Sequence, residues 1–208
     1  MGRPLLNQLC AEGLRVFAIA RPQSVSKVPS SCTPIPGEVL DSTTYKDRIP
    51  SGAVFVHLVG VSHPAPWKAA QFQSIDRASL EQSVAAAKRA AAEHFVFMSV
   101  AHPAPVMKPY IEVRMKCEET LRQSGLNVTI LRPWYILGPG HRWPYLLIPF
   151  YRLFEKISST RNGAIRLGLV TRAQMVNALA AAVASAPARL RVLEPAQIRA
   201  VGSGEMKL

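Results

Sequence analysis

The chain has 208 residues, of which 49% are hydrophobic and 18% are charged, a balance that favours one folded domain and excludes a disordered chain. The net charge is +12, but the basic residues are spread along the sequence, which indicates attraction for an anionic small molecule rather than a nucleic acid. The longest apolar runs, 53–61 and 143–154, are too short to span a bilayer and no signal peptide is recognisable, so we predict a cytoplasmic protein.

The first third of the chain alternates apolar runs with loops. The pattern predicts a helix at 3–12, a strand at 15–21, a loop at 22–37, a short edge strand at 38–41, helical turns at 43–49 and a further strand at 53–58. Gly13 is expected to end the first helix, because glycine adopts the left-handed conformation at little cost. The strand at 53–58 is apolar apart from His57, which is typical of burial on both faces.

The rest of the chain predicts four further helices and four further strands. A capping box, Ser79-x-x-Gln82, is expected to begin a helix that ends near residue 93. There follow a strand (95–98), a helix (109–125), a strand (128–131), an amphipathic helix (143–157), a strand (166–170), a helix (173–186) and a last strand (191–194). Apolar strands that alternate with helices predict an α/β fold, a doubly wound parallel sheet with helices on both faces.

The cysteines and histidines show no metal-ligand spacing. Cys10, Cys32 and Cys117 are odd in number, and two of them fall at apolar positions of predicted helices. We therefore expect free, reduced thiols and no bound metal.

Four residues lie at or just beyond the carboxyl ends of predicted strands, namely Arg21, Gly60, Ser99 and Pro133. The carboxyl ends of parallel strands meet at one edge of a sheet, and ligands bind beyond that edge. We therefore expect these residues to form one site.

Three sequence features carry a resemblance to a known family. They are Phe-Val-Phe-Met-Ser at 95–99, Tyr110-x-x-x-Arg114 followed by Glu118, and Leu131-Arg132-Pro133 followed by Gly138-Pro139-Gly140. Together they resemble the short-chain dehydrogenase/reductase superfamily, in its extended and atypical branch of NmrA-like and epimerase-like NAD(P)-binding proteins. The resemblance covers nearly the whole chain.

The resemblance implies a Rossmann fold, a nicotinamide dinucleotide and a Ser-Tyr-Lys constellation for hydride and proton transfer. Ser99 would orient a substrate carbonyl, and Tyr110 would act as the acid or base. The family's lysine lowers the pKa of the tyrosine and holds the ribose. Arg114 stands in its place, one helical turn after Tyr110.

Arg114 is the first departure from the family pattern. Its fixed positive charge is expected to favour the tyrosinate. A planar guanidinium does not replace the point contacts of an ammonium group, so the substitution is not conservative. The alternative interpretation is that Tyr110 is a packed helix residue and Arg114 a surface charge.

The second departure lies at the N-terminus, where the family has a strand and a Gly-x-x-Gly-x-x-Gly turn for the pyrophosphate. Gly2 matches only the third glycine, so the first strand and the other glycines would lie upstream of Met1. We expect an N-terminally truncated domain with impaired dinucleotide binding. The alternative is that the strands at 15–21 and 53–58, which would flank the missing strand, pair directly.

The resemblance assigns further residues to the cofactor. Arg21 stands where NAD-specific members carry an acidic residue, and an arginine there suits the 2′-phosphate of NADP. Asp41 would lie near the adenine amine, although a turn-starting aspartate is the alternative. Leu58, Val59 and Gly60 would pass under the dinucleotide. Pro133 would lie near the nicotinamide.

Two functions remain open on the sequence. The first is an NADP-dependent oxidoreductase that acts on a small carbonyl or alcohol substrate, apolar or aromatic in character because aromatic residues crowd the stretch after Pro133. The second is a dinucleotide-sensing or assembly protein that has lost catalysis. A third hypothesis, a nucleic-acid-binding regulator, lacks the clusters of basic residues that such proteins carry.

We expect a single NAD(P)-binding domain over 1–208, in which 141–208 forms a small substrate-side portion.

Overall fold

A computed structural model of the chain describes residues 1–62, 64–104, 106–138 and 168–208. The strands are β1 (Phe17–Ala20), β2 (Thr33–Pro36), β3 (Val54–His57), β4 (His94–Met98), β5 (Val128–Leu131), β6 (Ile136–Leu137), β7 (Val170–Thr171) and β8 (Leu190–Leu193). The helices are α1 (Gly2–Ala11), α2 (Ala69–Gln71), α3 (Ala78–Arg89), α4 (Lys108–Gln123), α5 (Arg172–Ala184) and α6 (Pro195–Gly202). A π-helical segment, Phe72–Arg77, joins α2 to α3.

The central element is a four-stranded parallel sheet in the order β3-β4-β5-β8. Its register places Phe55 beside Phe95, and Phe95 beside Val128. A separate parallel pair, β1-β2, and a short pair, β6-β7, complete the strands that the described ranges contain. The predicted α/β fold with parallel strands is confirmed.

Helices cover both faces of the four-stranded sheet. Val96 and Leu131 point into a cluster with Leu9 of α1 and Leu179 of α5. The neighbouring strand residue Phe97 points the other way, into a cluster with side chains of α3 and α4. Successive strand residues therefore bury opposite faces, which explains why the strands are apolar without alternation.

The sheet is interrupted between β1 and β3. Strand β1 pairs with β2, strand β3 pairs with β4, and in the described ranges no strand joins β1 to β3. Direct pairing of these two strands, the alternative left open by the sequence, is not what the structure shows. Side chains bridge the interruption instead, since Ile19 of β1 packs against the cluster that contains Phe55 of β3.

Strand β2 corrects the sequence prediction, because it lies inside the predicted loop 22–37. The two prolines of Thr-Pro-Ile-Pro disfavoured a strand on the sequence. Thr33 and Gly37 donate their amides to Val16 and Ala20, so the prolines fall at the alternate positions, where no donor is needed. The predicted edge strand 38–41 is only an isolated bridge between Glu38 and Asp41.

The predicted capping box at Ser79 is also wrong. The helical path already begins at Ala69, so Ser79 lies inside it and donates its hydroxyl to the carbonyl of Asp76. Gln82 instead accepts hydrogen bonds from the amide and hydroxyl of Ser42, 40 residues earlier. Ser79 and Gln82 therefore make other hydrogen bonds instead of capping a helix, and the long-range partner of Gln82 cannot be recognised in the sequence.

Towards the C-terminus, α5 and β8 confirm the predicted helix and last strand. Helix α6 was not predicted. The predicted helix 143–157, the Pro139-Gly140 turn and the first two residues of the predicted strand 166–170 lie outside the described residues. Of the other three residues of that strand, only Val170 lies in a strand, β7. Within the described ranges, no helix combines the length and apolar character that a bilayer span requires.

Candidate functional site

A cavity of about 480 Å³ opens beyond the carboxyl ends of β1 and β3. Its lining includes Ile19, Ala20 and Arg21 at the end of β1, residues 37–40 that follow β2, and Val59 two residues after β3. Strands β1 and β3 lie on either side of the interruption in the sheet. This is the edge at which the sequence predicted a site.

Two charged side chains of opposite sign lie on the cavity wall, Arg21 and Glu38. Among the described residues no carboxylate forms an ion pair with Arg21, whose side chain is exposed. A free guanidinium beside a cavity is suited to bind a phosphate through charge-assisted hydrogen bonds.

Three other predicted cofactor residues have different surroundings. Asp41 accepts hydrogen bonds from the Thr43 hydroxyl (2.6 Å) and amide (3.0 Å), which hold the pKa of Asp41 below its usual value. It caps a turn and is not among the residues that line the cavity. Leu58 packs against the sheet core. A Cβ atom at Gly2 would meet nothing within 4 Å, so no close helix–strand contact is found there.

Gly60 lies against a buried ion pair. Nη2 of Arg114 is 2.6 Å from Oδ1 of Asp76, and the two side chains are 4% and 0% exposed. The other carboxylate oxygen of Asp76 accepts the amide of Val61 at 3.0 Å. A Cβ atom at Gly60 would come within 2.2 Å of the guanidinium, so only glycine fits here. Arg114 is therefore not the surface charge of the alternative interpretation.

Tyr110 packs directly over this ion pair. Its ring lies 5.2 Å from the Arg114 guanidinium carbon and 5.1 Å from the ring of Phe72. Burial raises the pKa of Tyr110 above its ordinary value, and the charge of Arg114 opposes this shift without reversing it. Arg114 thus acts on the tyrosine in the expected direction, but burial outweighs it and the net pKa of Tyr110 is raised. Tyr110 is a protonated phenol at neutral pH.

Ser99 belongs to a second buried network, centred on Glu118. The Ser99 hydroxyl donates to Oε1 of Glu118 at 2.7 Å, and Nε of Arg132 donates to the same oxygen at 3.0 Å. Arg132 also pairs with Glu194 at 2.8 Å. Burial alone would raise the pKa of Glu118, but hydrogen bonds from His102, Arg132 and Ser99 outweigh it and lower the pKa to about 2. Glu118 is therefore an ionised acceptor that holds the serine hydroxyl.

The network also fixes the ends of β4 and β5 relative to each other. Ser99 donates its amide to the carbonyl of Leu131 at 2.7 Å, and Ala101 donates to the carbonyl of Pro133 at 2.9 Å. The predicted neighbours Ser99 and Pro133 thus lie at adjoining strand ends.

A protein-family model matches most of this chain and shows the family to which it belongs. A model described as NAD(P)H-binding matches residues 1–147. The chain belongs to the NAD(P)H-binding family. A nicotinamide dinucleotide is the cofactor of this family, and the predicted cofactor class is confirmed at that level. No curated protein matches the chain.

Solved structures share the fold at low sequence identity. The structure of gox2253 is 17% identical, with a TM-score of 0.65, over 93% of this chain and 66% of that one. A nucleoside-diphosphate-sugar epimerase from Staphylococcus aureus is 17% identical, with a TM-score of 0.63, over 91% and 65%. MoeE5 in complex with UDP-glucose and NAD is 22% identical, with a TM-score of 0.65, over 92% and 71%.

These similarities show the Rossmann-like fold that the sequence features indicated. The chain spans just under two thirds of the length of the first two structures.

The NAD(P)H-binding chain therefore brings its predicted residues together in three groups. Arg21 and Val59 line the cavity, Gly60, Tyr110 and Arg114 share one ion-pair cluster, and Ser99 belongs to the Glu118 network. Helix α4 connects the last two groups, since Arg114 and Glu118 are one turn apart.

Sequence reasoning missed Asp76 and gave Arg132 no role. Asp76 looks like any single aspartate in a helix, because the burial that makes it important comes from α4. Arg132 was seen only as part of an Arg-Pro motif. A buried arginine needs a buried carboxylate, but the sequence does not say which one.

Proposed function

We propose that this chain is an NADP-dependent oxidoreductase that transfers hydride between the cofactor and a small carbonyl or alcohol substrate, with Tyr110 as the proton-transferring group. The observation that carries the proposal is that Arg21, which pairs with no carboxylate in the described part of the chain, lines a cavity at the carboxyl edge of a Rossmann-like sheet. A family match to NAD(P)H-binding proteins supports a dinucleotide in this place.

The preference for NADP rests on charge. The 2′-phosphate of NADP is dianionic near neutral pH, and a guanidinium binds it through two parallel hydrogen bonds. NAD carries a hydroxyl there, for which an acidic partner is the usual choice. Glu38 also lines the cavity. Its carboxylate would favour NAD over NADP if the Arg21 side chain pointed away from the cavity.

The proton chemistry rests on Tyr110. When bound, NADPH supplies a hydride to a carbonyl carbon, and the oxygen then needs a proton. Burial keeps Tyr110 protonated at neutral pH, which is the form that donates, while the raised pKa makes it a weaker acid than a free tyrosine. Arg114 and Asp76 hold the ring of Tyr110 from below, which makes them positioning residues rather than groups that touch the substrate.

Ser99 has a different role in this proposal from the one that the resemblance implies. Its hydroxyl hydrogen is directed to the ionised Glu118, so the oxygen offers only lone pairs to a substrate. We propose that Ser99 contributes by fixing the loop after β4.

A second candidate function is a dinucleotide-binding protein without catalysis. The observation that favours it is that both partners of Tyr110 in the family pattern are engaged, Ser99 by Glu118 and Arg114 by Asp76. The substrate does not separate the candidates, because most of the aromatic stretch after Pro133 lies outside the described residues.

Substitution of Tyr110 by Phe separates the two candidates. For an oxidoreductase, Tyr110→Phe is expected to reduce NADPH-dependent turnover of a carbonyl panel by about 100-fold or more, with NADPH affinity changed less than about threefold. Tyr45→Phe, which removes a phenol hydroxyl in the buried cluster beneath β2, is the matched control and keeps turnover. Dinucleotide binding without turnover in the unsubstituted chain would instead support the second candidate.

A further inference from the structure

Two of the three cysteines lie in direct contact. Sγ of Cys10 on α1 is 2.9 Å from Sγ of Cys32, which comes just before β2 and is 22 residues away along the chain. Both thiols are free in the structure. Cysteines brought this close are already near the separation at which a disulfide forms without large backbone movement.

The two thiols differ in their access to solvent. Cys10 is partly exposed, whereas Cys32 is only 6% exposed and also lies 3.9 Å from the Ser31 hydroxyl. Cys117 is fully buried in the core on the opposite face of the sheet and has no part in the pair. An oxidant from solution therefore meets Cys10 first, with Cys32 positioned directly behind it.

We propose that Cys10 and Cys32 form an oxidisable dithiol site that reacts with low-molecular-weight disulfides such as oxidised glutathione. The Cys10 thiolate attacks one sulfur of oxidised glutathione, forming a mixed disulfide and releasing one glutathione thiolate. The Cys32 thiolate then attacks the Cys10 sulfur and releases the second glutathione. In total, two protein thiols lose two protons and two electrons, and one oxidised glutathione becomes two reduced molecules.

Ring closure is the step that depends most on pH. Burial and the hydrogen bond with Cys10 raise the pKa of Cys32 above its ordinary value. Since only the thiolate attacks, the closing step accelerates as the pH rises towards that raised pKa.

The disulfide would connect parts of the fold that share no strand pairing. Helix α1 packs against α5 on the four-stranded sheet, whereas β2 belongs to the separate β1-β2 pair. The β1-β2 pair carries Arg21 and the adjoining wall of the cavity. A covalent bond from α1 to this pair would restrict its movement relative to the main sheet, and closing a loop of this length is expected to raise Tm by about 5–10 °C.

The test is oxidation of the full chain with oxidised glutathione at several pH values, followed by intact mass and non-reducing peptide mapping. The expected result is the loss of two hydrogen atoms, a cross-linked peptide that contains Cys10 and Cys32, faster closure at higher pH, and a Tm gain that dithiothreitol reverses. Cys117→Ser, the matched control, should behave in the same way.

Cys32→Ser should instead stop at a stable glutathione adduct on Cys10, which shows the order of attack even if its stability is altered. The inference is overturned if glutathione stays attached to Cys10 in the unsubstituted chain. It is equally overturned if the cross-link uses Cys117 or joins two chains.

Discussion

The guanidinium of Arg114 lies 2.6 Å from the carboxylate of Asp76, and both side chains are almost completely shielded from solvent. The cation that the family pattern places four residues after the tyrosine is therefore, in this chain, one partner of a buried ion pair. Neither charge tolerates the loss of its partner, because an unpaired charge in the protein interior carries a large desolvation cost.

Arg114→Met is therefore expected to destabilise the fold by about 3–5 kcal/mol, since it leaves the Asp76 carboxylate buried and unpaired. The double variant Arg114→Met with Asp76→Asn should be less destabilised than the single variant, because the asparagine is neutral and still accepts the Val61 amide. Urea unfolding measures both. Arg77→Met, which breaks an exposed pair with Glu81, is the control and should cost below about 1 kcal/mol. Equal losses for the single and double variants would contradict the account.

Gly60 is expected to be intolerant of any side chain. Gly60→Ala places a Cβ atom 2.2 Å from Nη2 of Arg114 and 3.0 Å from Oδ1 of Asp76, so the ion pair must shift. We expect a loss of about 1–3 kcal/mol in stability, measured by thermal unfolding. Gly2→Ala, where a Cβ atom meets nothing within 4 Å, should leave Tm unchanged within about 1 °C. A tolerated alanine at Gly60 would show that the pair is not packed against this turn.

Glu118 predicts a loss of stability in acid. Its pKa is lowered to about 2 in the folded protein, against 4.5 for the ordinary group, so the unfolded chain takes up the proton first as the pH falls. The contribution is fully present above pH 4.5 and is lost progressively towards pH 2, amounting to about 3 kcal/mol. Glu118→Gln should flatten this part of the stability profile. Glu119→Gln, on the exposed side of the same helix, should not.

His57 predicts a second loss of stability on acidification, which begins at a higher pH than the loss caused by Glu118. Burial, assisted by the charge of Arg114, lowers its pKa from 6.5 to about 3, so the folded protein keeps the ring neutral. The unfolded chain protonates first as the pH falls through 6.5, and folding loses about 2–3 kcal/mol by pH 4.5. His57→Asn keeps a partner for the Ser83 hydroxyl, which His57 Nδ1 meets at 3.0 Å. A variant that retains the full slope between pH 6.5 and 4.5 would refute this assignment.

The fold was predictable where hydrophobic pattern decides it. Strands β3, β4 and β5 are largely apolar runs between loops, and Gly13, two residues beyond the end of α1, has a φ of +81° as expected. Strand β2 was not predictable, because its prolines are tolerated only by a particular pairing register with β1. Registers are set by tertiary contacts that no local pattern encodes.

Motif spacing singled out Tyr110, Arg114 and Ser99 as site residues, and their roles stay predictions. Their electrostatic surroundings were not predictable. Their actual partners, Asp76 and Glu118, come from helices whose packing determines which carboxylates are buried. That packing also sets the pKa of Tyr110, because the nearby charge lowers it as expected but desolvation exceeds that effect and leaves the net pKa raised.

The most direct test of the central claim is a fluorescence titration of the chain and of Arg21→Gln with NADPH and with NADH. The unsubstituted chain is expected to bind NADPH about ten- to a hundredfold more tightly than NADH, because one charge-assisted contact to the 2′-phosphate is worth about 1.5–3 kcal/mol. Arg21→Gln should abolish this ratio by weakening NADPH binding alone. Tighter binding of NADH, or a ratio that Arg21→Gln leaves unchanged, would contradict the account.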